Sequence, residues 1–377
     1  MIPVNEPLLG KEELNKVTAC LKSNWISSQG KYLKEFEEKF AHYCGLNYGI
    51  STTSGTTALH LALAALGVGP GDEVLIPTFT MAATAFAVCY CGATPVFIDS
   101  DSETFNIDLD RISFYLRTQE KRGKVKVKAI IPVHMYGHPV DMDPLLDMAN
   151  QFSITVIEDA AEAHGAEYKG KKCGSFGAMG CFSFYANKII TTGEGGMVVT
   201  NDPRLAEKAR RLKDLAHSTE KRFLHTALGF NYRMTNLQAA LGVAQLKKIN
   251  SHIKKKRWMA REYEKELKPI PGLRLPIEKP WAKNVYWMYG ILVEKAFGLS
   301  RDQLMVQLKN QGIDTRSFFV PMHLQTVFKE KGIKSKQFGR YPVAERLSEQ
   351  GLYLPSGLTI SLDQIRYIGD QIKRLAP

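Results

Sequence analysis

Short apolar, β-rich runs alternate with helical ones through the first 160 residues or so, and this alternation constrains the fold more than any other feature. The pattern predicts strands at Tyr48 to Thr52, Glu73 to Pro77, Thr94 to Ile98, Val127 to Pro132 and Thr155 to Glu158. Between them it predicts helices at Thr56 to Leu66, Ala82 to Tyr90 and Met142 to Phe152. Two amphipathic helices, Lys11 to Leu21 and Tyr32 to Tyr43, come first. Strands separated by helices of about ten residues must cross over rather than turn back, which builds parallel βαβ units and a sheet covered on both faces. The expected fold class is α/β with a mostly parallel sheet. Ligands of such sheets collect at the carboxyl ends of the strands. Three segments fall there: Thr53 to Thr56, Asp159 to Gly165, and the loop around Lys188.

At 377 residues the chain exceeds what one hydrophobic core supports, so two domains are expected. The character changes after Asp202-Pro203, where helices are predicted at Pro203 to Leu215, Thr235 to Lys248 and Ile253 to Leu267. Shorter elements follow: a strand at Tyr286 to Val293 and helices at Arg301 to Gln311 and Leu362 to Leu375. The chain divides on this reading into a large domain, residues 1–250, and a small α+β domain, residues 251–377.

Several function classes fall away. No apolar run reaches the roughly 18 residues of a membrane helix. The opening MIPVNEPLLGKEEL lacks the basic start and apolar stretch of a signal peptide, so the expected compartment is the cytoplasm. A formal charge of +12 raises the question of nucleic acid. The basic residues are dispersed, however, and the densest run, Lys254 to Arg257, lies in an amphipathic helix. The same positive field suits an anionic small substrate such as a nucleotide diphosphate. Among the cysteines only Cys89 and Cys91 lie close, and no second pair completes a zinc site, so no metal is expected.

The chemistry concentrates in Cys181 to Thr200, CFSFYANKIITTGEGGMVVT. Lys188 sits there between a predicted strand, Cys181 to Tyr185, and a turn rich in glycine (Gly193, Gly195, Gly196). In a confined site a lysine becomes nucleophilic and can hold the aldehyde of pyridoxal 5'-phosphate; in an open hairpin it is a solvated surface residue. That cofactor also needs an acid at its ring nitrogen. Asp159 follows an apolar strand 29 residues before the lysine, where an ordinary helix cap would look the same. It needs a phosphate seat, and Ser54-Gly55-Thr56 joins a strand to a helix whose free amides attract anions. Ser183 stands five residues before Lys188 and can add a hydroxyl.

Beyond these residues, eight stretches in order resemble the sugar aminotransferases of the DegT/DnrJ/EryC1/StrS family over nearly the whole chain. They are IPVNEPLLG, SNWISSQGKYLKEFEEKFA, SGTTALHLAL, GDEVLIPTFT, IPVHMYGHPVDMD, IEDAAEAHGAEYKGKKCGSFG, FSFYANKIITTGEGGMVVTND and GFNYRMTNLQAALG. The resemblance implies fold type I, the aspartate-aminotransferase-like architecture, with pyridoxal 5'-phosphate bound. It implies that Lys188 carries the cofactor and shuttles the proton, that Asp159 pairs with the ring nitrogen, and that Glu162 meets the ring hydroxyl. Ser54, Gly55, Thr56 and Ser183 would hold the phosphate, and Asn231 would reach it from the neighbouring subunit of a homodimer with shared sites. Met81 stands where relatives often place an aromatic residue against the ring; a thioether can pack there.

Within the family, Glu162, the Lys188 loop and DTRSFFVPMH look most like the enzymes that aminate GDP-4-keto-6-deoxymannose at carbon 4 with L-glutamate as donor. The resemblance suggests Arg316, His323, His225 and Arg222 for the nucleotide sugar, with Trp25, Ser27 and Ser28 at the entrance. A UDP- or dTDP-linked keto sugar, aminated at carbon 4 or carbon 3, is the alternative within the class. A family offshoot that dehydrates at carbon 3 carries His at the lysine position, which Lys188 argues against. A non-catalytic regulator of the same fold would be expected to lack Lys188, Asp159 or Asn231, and all three are present.

Overall fold

The computed structural model describes residues 1–123, 125–218, 220–221, 223–329 and 334–376. Among them the large sheet has eight strands in the order Tyr48–Thr52, Gly196–Thr200, Met179–Ser183, Thr155–Asp159, Val127–Ile130, Glu73–Pro77, Thr94–Ile98 and Lys336–Gln337. Neighbours are parallel except at Gly196–Thr200, which runs antiparallel to both of its partners. The strands Tyr48–Thr52, Glu73–Pro77 and Thr94–Ile98 lie where the pattern predicts them. The strand before the lysine instead covers Met179–Ser183, two residues earlier than expected, so Phe184 and Tyr185 already belong to the site loop.

Helix Gly55–Leu66 shows why the local sequence folds as it does. Ser54 Oγ accepts the Thr57 N–H at 3.2 Å while Thr57 Oγ1 accepts the Ser54 N–H at 2.9 Å, a reciprocal cap of the kind worth about 1 kcal/mol. Gly67 ends the helix at φ 85, a left-handed conformation that favours glycine. The helix is buried on nearly every side, so alanine and leucine fill it with little amphipathic contrast. It packs against the strands Met179–Ser183 and Gly196–Thr200. A helix at Leu109–Lys121, absent from the sequence prediction, starts at an Asp108 cap and buries Ile112, Tyr115 and Leu116 on one face.

The second unit has an antiparallel sheet, in the order Leu273–Arg274, Tyr289–Val293, Gly351–Leu354 and Arg316–Ser317. Helices Arg301–Asn310, Pro342–Gln350 and Leu362–Leu375 accompany it. Helix Ile249–Leu267 starts four residues earlier than predicted and belongs to both cores. Ile249 and Ile253 pack into the large one, and Met259, Tyr263 and Leu267 into the small one. Two segments cross the boundary drawn at residue 250. Ile2 bridges Ile313, and the Lys336–Gln337 strand joins the edge of the large sheet beside Thr94–Ile98.

Register decides what meets at the carboxyl edge. Gly196 pairs with both Thr52 and Ser183, and Asp159 lies opposite Cys181. The three segments expected to share a pocket therefore end on one edge, side by side.

Candidate active site

The strand Thr155–Asp159 ends in two acids that point to opposite faces of the sheet, as alternation in a strand requires. Glu158 turns into the scaffold, where it is 0 % exposed. It accepts the backbone N–H groups of Gly174, Phe176 and Gly177 at 2.6, 2.6 and 2.8 Å. It also accepts His134 Nε2–H at 3.0 Å, a proton position fixed because His134 Nδ1 accepts the Val140 N–H. A buried carboxylate needs such a full set of donors. The result braces the next residue, whose N–H donates to Pro132 O at 2.9 Å and whose carbonyl accepts the His134 N–H at 3.2 Å.

That next residue, Asp159, turns into the site. Its Oδ2 accepts the Thr84 hydroxyl at 2.8 Å and its Oδ1 the Ala161 N–H at 3.2 Å. Burial pushes its pKa up; the Thr84 and Ala161 bonds and the Lys188 charge hold the carboxylate form against that push. Thr84 was not among the residues expected from sequence. Its signal is faint: a threonine in the first turn of helix Ala82–Tyr90, three residues after Met81.

Lys188 lies half-buried within electrostatic reach of Asp159 and Glu162. Burial lowers its pKa, and the two carboxylates pull the other way without reversing the direction. Its ammonium rests 3.7 Å from the centre of the Trp287 ring. Glu162 is buried, accepts the Tyr136 N–H at 2.9 Å, and is raised by burial against the pull of Lys188. Tyr136 makes that contact from a left-handed backbone conformation, φ 53. An amine whose pKa is lowered beside an acid whose pKa is raised can exchange a proton with it, and the amine becomes a nucleophile.

Beside them is a tight anion seat. Ser54 takes the Thr57 N–H, leaving the amides of Gly55 and Thr56 at the open first turn of the helix. A Cβ on Gly55 would lie 2.7 Å from the Ser183 Cβ, and one on Gly196 would lie 2.1 Å from the Ser54 carbonyl oxygen. Glycine is needed at both because strand and helix backbones approach too closely for a side chain. A lysine of lowered pKa, a buried aspartate and a helix-end anion seat on one sheet edge fit pyridoxal 5'-phosphate.

The remaining expected residues divide. Met81 precedes helix Ala82–Tyr90 and is 56 % exposed, so its side chain is open to a flat ligand. Trp25 and Ser27 hold Asn236 through their carbonyls, both at 2.6 Å, and the exposed Trp25 lines a groove of about 540 Å³ with Tyr32. Asn231 is exposed, with its Oδ1 accepting the Arg233 guanidinium at 3.0 and 2.9 Å. His225, also exposed, bonds Leu215 O at 2.7 Å, and Arg222 lies outside the described residues. Arg316 is exposed on a strand opposite Tyr353, whose ring meets that of Tyr136 at 5.2 Å. His323 departs from its expected role. It is buried, with Nδ1 on Thr78 Oγ1 at 2.7 Å and Nε2 on Glu345 at 3.1 Å, which leaves no ring nitrogen for a substrate. It pins the small-domain loop to the end of a large-sheet strand.

With this geometry in hand, the chain can be set against known proteins. A profile of the DegT/DnrJ/EryC1/StrS aminotransferase family matches residues 7–373. A GDP-perosamine synthase of Caulobacter vibrioides is 42 % identical over 378 aligned positions, covering 98 % of each chain. Among solved structures, S. venezuelae DesV in complex with a ketimine intermediate has a TM-score of 0.87 at 34 % identity, over 96 % of this chain and 94 % of that one. An E. coli GDP-4-keto-6-deoxy-D-mannose-3-dehydratase with bound hydrated PLP has a TM-score of 0.90 at 25 % identity, over 99 % of both.

Proposed function

We propose, for a chain that belongs to the DegT/DnrJ/EryC1/StrS aminotransferase family, the amination of GDP-4-keto-6-deoxy-D-mannose at carbon 4 to GDP-perosamine. L-glutamate is the amino donor and leaves as 2-oxoglutarate. The observation that carries this reading is the meeting of Lys188, Asp159 and Glu162 at one sheet edge, in a chain 42 % identical end to end to a GDP-perosamine synthase.

Pyridoxal 5'-phosphate, when bound, supplies the electron sink for breaking and making bonds at the carbon that bears nitrogen. The protein supplies the rest. Gly55, Thr56 and Ser183 would seat its phosphate, and Asp159, whose carboxylate accepts the Thr84 hydroxyl, would pair with its ring nitrogen. Lys188 takes a proton from the glutamate α-carbon in the first half of the reaction. In the second half it returns one to sugar carbon 4, a general acid–base contribution of typically 10²–10⁴-fold. Glu162 shares a proton with Lys188 and keeps it able to act in both directions. Asn231 completes the neighbouring subunit's site, so the working unit is a homodimer. Among the described residues no helix is long and apolar enough to cross a membrane, which agrees with a cytoplasmic enzyme.

The test is to supply the protein with cofactor, glutamate and, in parallel, GDP-, UDP- and dTDP-linked keto sugars, and to identify products by mass spectrometry and NMR. GDP-perosamine with stoichiometric 2-oxoglutarate is expected. An amino sugar formed only from a UDP- or dTDP-linked substrate would overturn the assignment of the base, and no 2-oxoglutarate from any of them would overturn the activity.

A further inference from the structure

The densest basic run of the chain, Lys254 to Arg257, ends in four different environments. Lys254 is exposed, Lys255 lies over the Trp258 ring at 3.7 Å, and Arg257 bonds the Asn284 carbonyl at 2.6 Å and Glu278. Lys256 is the exception, at 1 % exposure. Its Nζ donates to two backbone carbonyls, Trp287 O at 2.8 Å and Ser356 O. Burial alone moves its pKa, down to about 7, and no carboxylate contributes. His252, one turn earlier on its helix, is turned to the Ile189 carbonyl at 3.0 Å and is itself lowered by burial. Two carbonyls match the two N–H bonds of a neutral amine, whereas an ammonium would have a third donor to place.

A core position filled by a lysine with no acid partner calls for a reason beyond packing, and its two acceptors supply one. Trp287 is the residue whose ring carries the Lys188 ammonium. Its indole N–H donates to the carbonyl of Asn187 at 2.8 Å, which also accepts the Asn5 side chain at 3.1 Å. Ser356 follows the small-domain strand Gly351–Leu354. Its N–H donates to Val4 O at 2.6 Å, and its Oγ accepts the Tyr289 N–H at 2.9 Å. Lys256 thus bonds both the Trp287 backbone and the loop anchoring the small domain to the N-terminal segment.

We propose that Lys256 is a positioning residue for Lys188. Through Trp287 O it fixes the indole face that bears the Lys188 ammonium, and through Ser356 O it sets that face in register with the small domain. The proposal rests on Lys188 being the reactive amine. A fixed aromatic face stabilises a cation lying over it, so it opposes the effect of burial on Lys188. Freeing the indole lowers the Lys188 pKa and enlarges the fraction of free amine at a given pH.

The experiment uses the full chain without cofactor and follows the rate of covalent capture of added pyridoxal 5'-phosphate by absorbance across pH 5–10. Borohydride reduction and peptide mass spectrometry then locate the modified lysine. In Lys256→Met the pH of half-maximal capture is expected to fall by about 0.5–1 unit, the size of one cation–π contact. Trp287→Leu should fall similarly, and the double variant no further than either single, since both act through one contact. Lys256→Gln, which keeps two N–H donors on a shorter arm, should shift less than Lys256→Met and serves if the methionine variant does not fold. An unchanged midpoint in a folded Lys256 variant, or full additivity with Trp287→Leu, overturns the proposal. A reduced tag on a lysine other than Lys188 in the wild-type protein would instead overturn the assignment of the reactive amine, so the two failures are distinguishable.

Discussion

The carboxyl edge of the large sheet and the segment from Asp214 to Asn231 each carry residues expected to serve catalysis, yet the fold treats them differently. At the edge, Asp159 and Glu162 are buried and hydrogen-bonded, and each is set by strand register or a backbone donor. Along the segment, Asn231 and His225 are exposed; the Asn231 side chain accepts from Arg233 and the His225 ring bonds the Leu215 carbonyl. The same stretch turns apolar side chains outward: Leu228 is 89 % exposed and Leu224 50 %. Monomers seldom leave such residues clustered in water without a partner surface. One half of the proposed site is assembled within a chain; the other half, on the reading proposed above, is completed by a second copy.

The largest effect should come from Lys188→Ala. Losing the proton carrier and the cofactor attachment together is expected to reduce kcat by at least about 10³-fold. The circular dichroism and oligomeric state should stay those of the wild type, because Lys188 is only half-buried and caps no helix. Normal turnover in this variant would erase the distinction between edge and segment altogether.

Mixing Lys188→Ala with Asn231→Ala chains tests the segment's side. Random re-pairing puts half of all chains into heterodimers, and each heterodimer has one intact site, so about a quarter of wild-type activity should return. Native mass spectrometry must first show the heterodimers. If they form and activity stays at the level of the separate variants, Asn231 does not serve the partner's site.

A third prediction uses the pH dependence of stability. Burial lowers the folded pKa of Lys256 to about 7 from the ordinary lysine value of 10.5. Between those values the unfolded chain binds the extra proton, so this residue makes stability rise with pH across roughly pH 7–10.5 and is fully unfavourable below it. At about 1.4 kcal/mol per unit the effect is on the order of several kcal/mol. Denaturant titrations should therefore show Lys256→Met gaining most over wild type below pH 7, with the gain shrinking as pH rises. A gain independent of pH would mean that the lysine is not neutral in the fold.

The smallest effect belongs to His323. Replacing it with Ala removes bonds to Thr78 and Glu345, and a loss of roughly 1–3 kcal/mol in unfolding free energy is expected. The KM for the nucleotide sugar should change less than about twofold, because both ring nitrogens are already engaged within the protein. A tenfold rise in KM with unchanged stability would return His323 to the substrate.

Much of this was readable in one dimension. The period of the apolar residues separated strands from helices, and Gly55 marked a strand-to-helix turn where a side chain has no room. What escaped the reading was either short or non-local. The two-residue strand Lys336–Gln337 carries too little pattern to detect, and its partner Thr94–Ile98 lies more than 200 residues away. Thr84 looks like any helix residue until the fold brings Asp159 to it, and His323 looks like a ligand until Thr78 and Glu345 occupy it.

By itself the order of residues determined that this chain forms crossover units, that Lys188, Asp159 and the Ser54-Gly55-Thr56 turn lie at strand ends, and that they are of the types pyridoxal chemistry requires. Only the tertiary structure showed that Glu158 turns away into the scaffold, which histidines are already engaged, and that a lysine from the basic run stands behind Trp287. Local periodicity records which way a side chain points from its own strand or helix. Burial, pKa and hydrogen-bond supply depend on neighbours brought in from elsewhere in the chain.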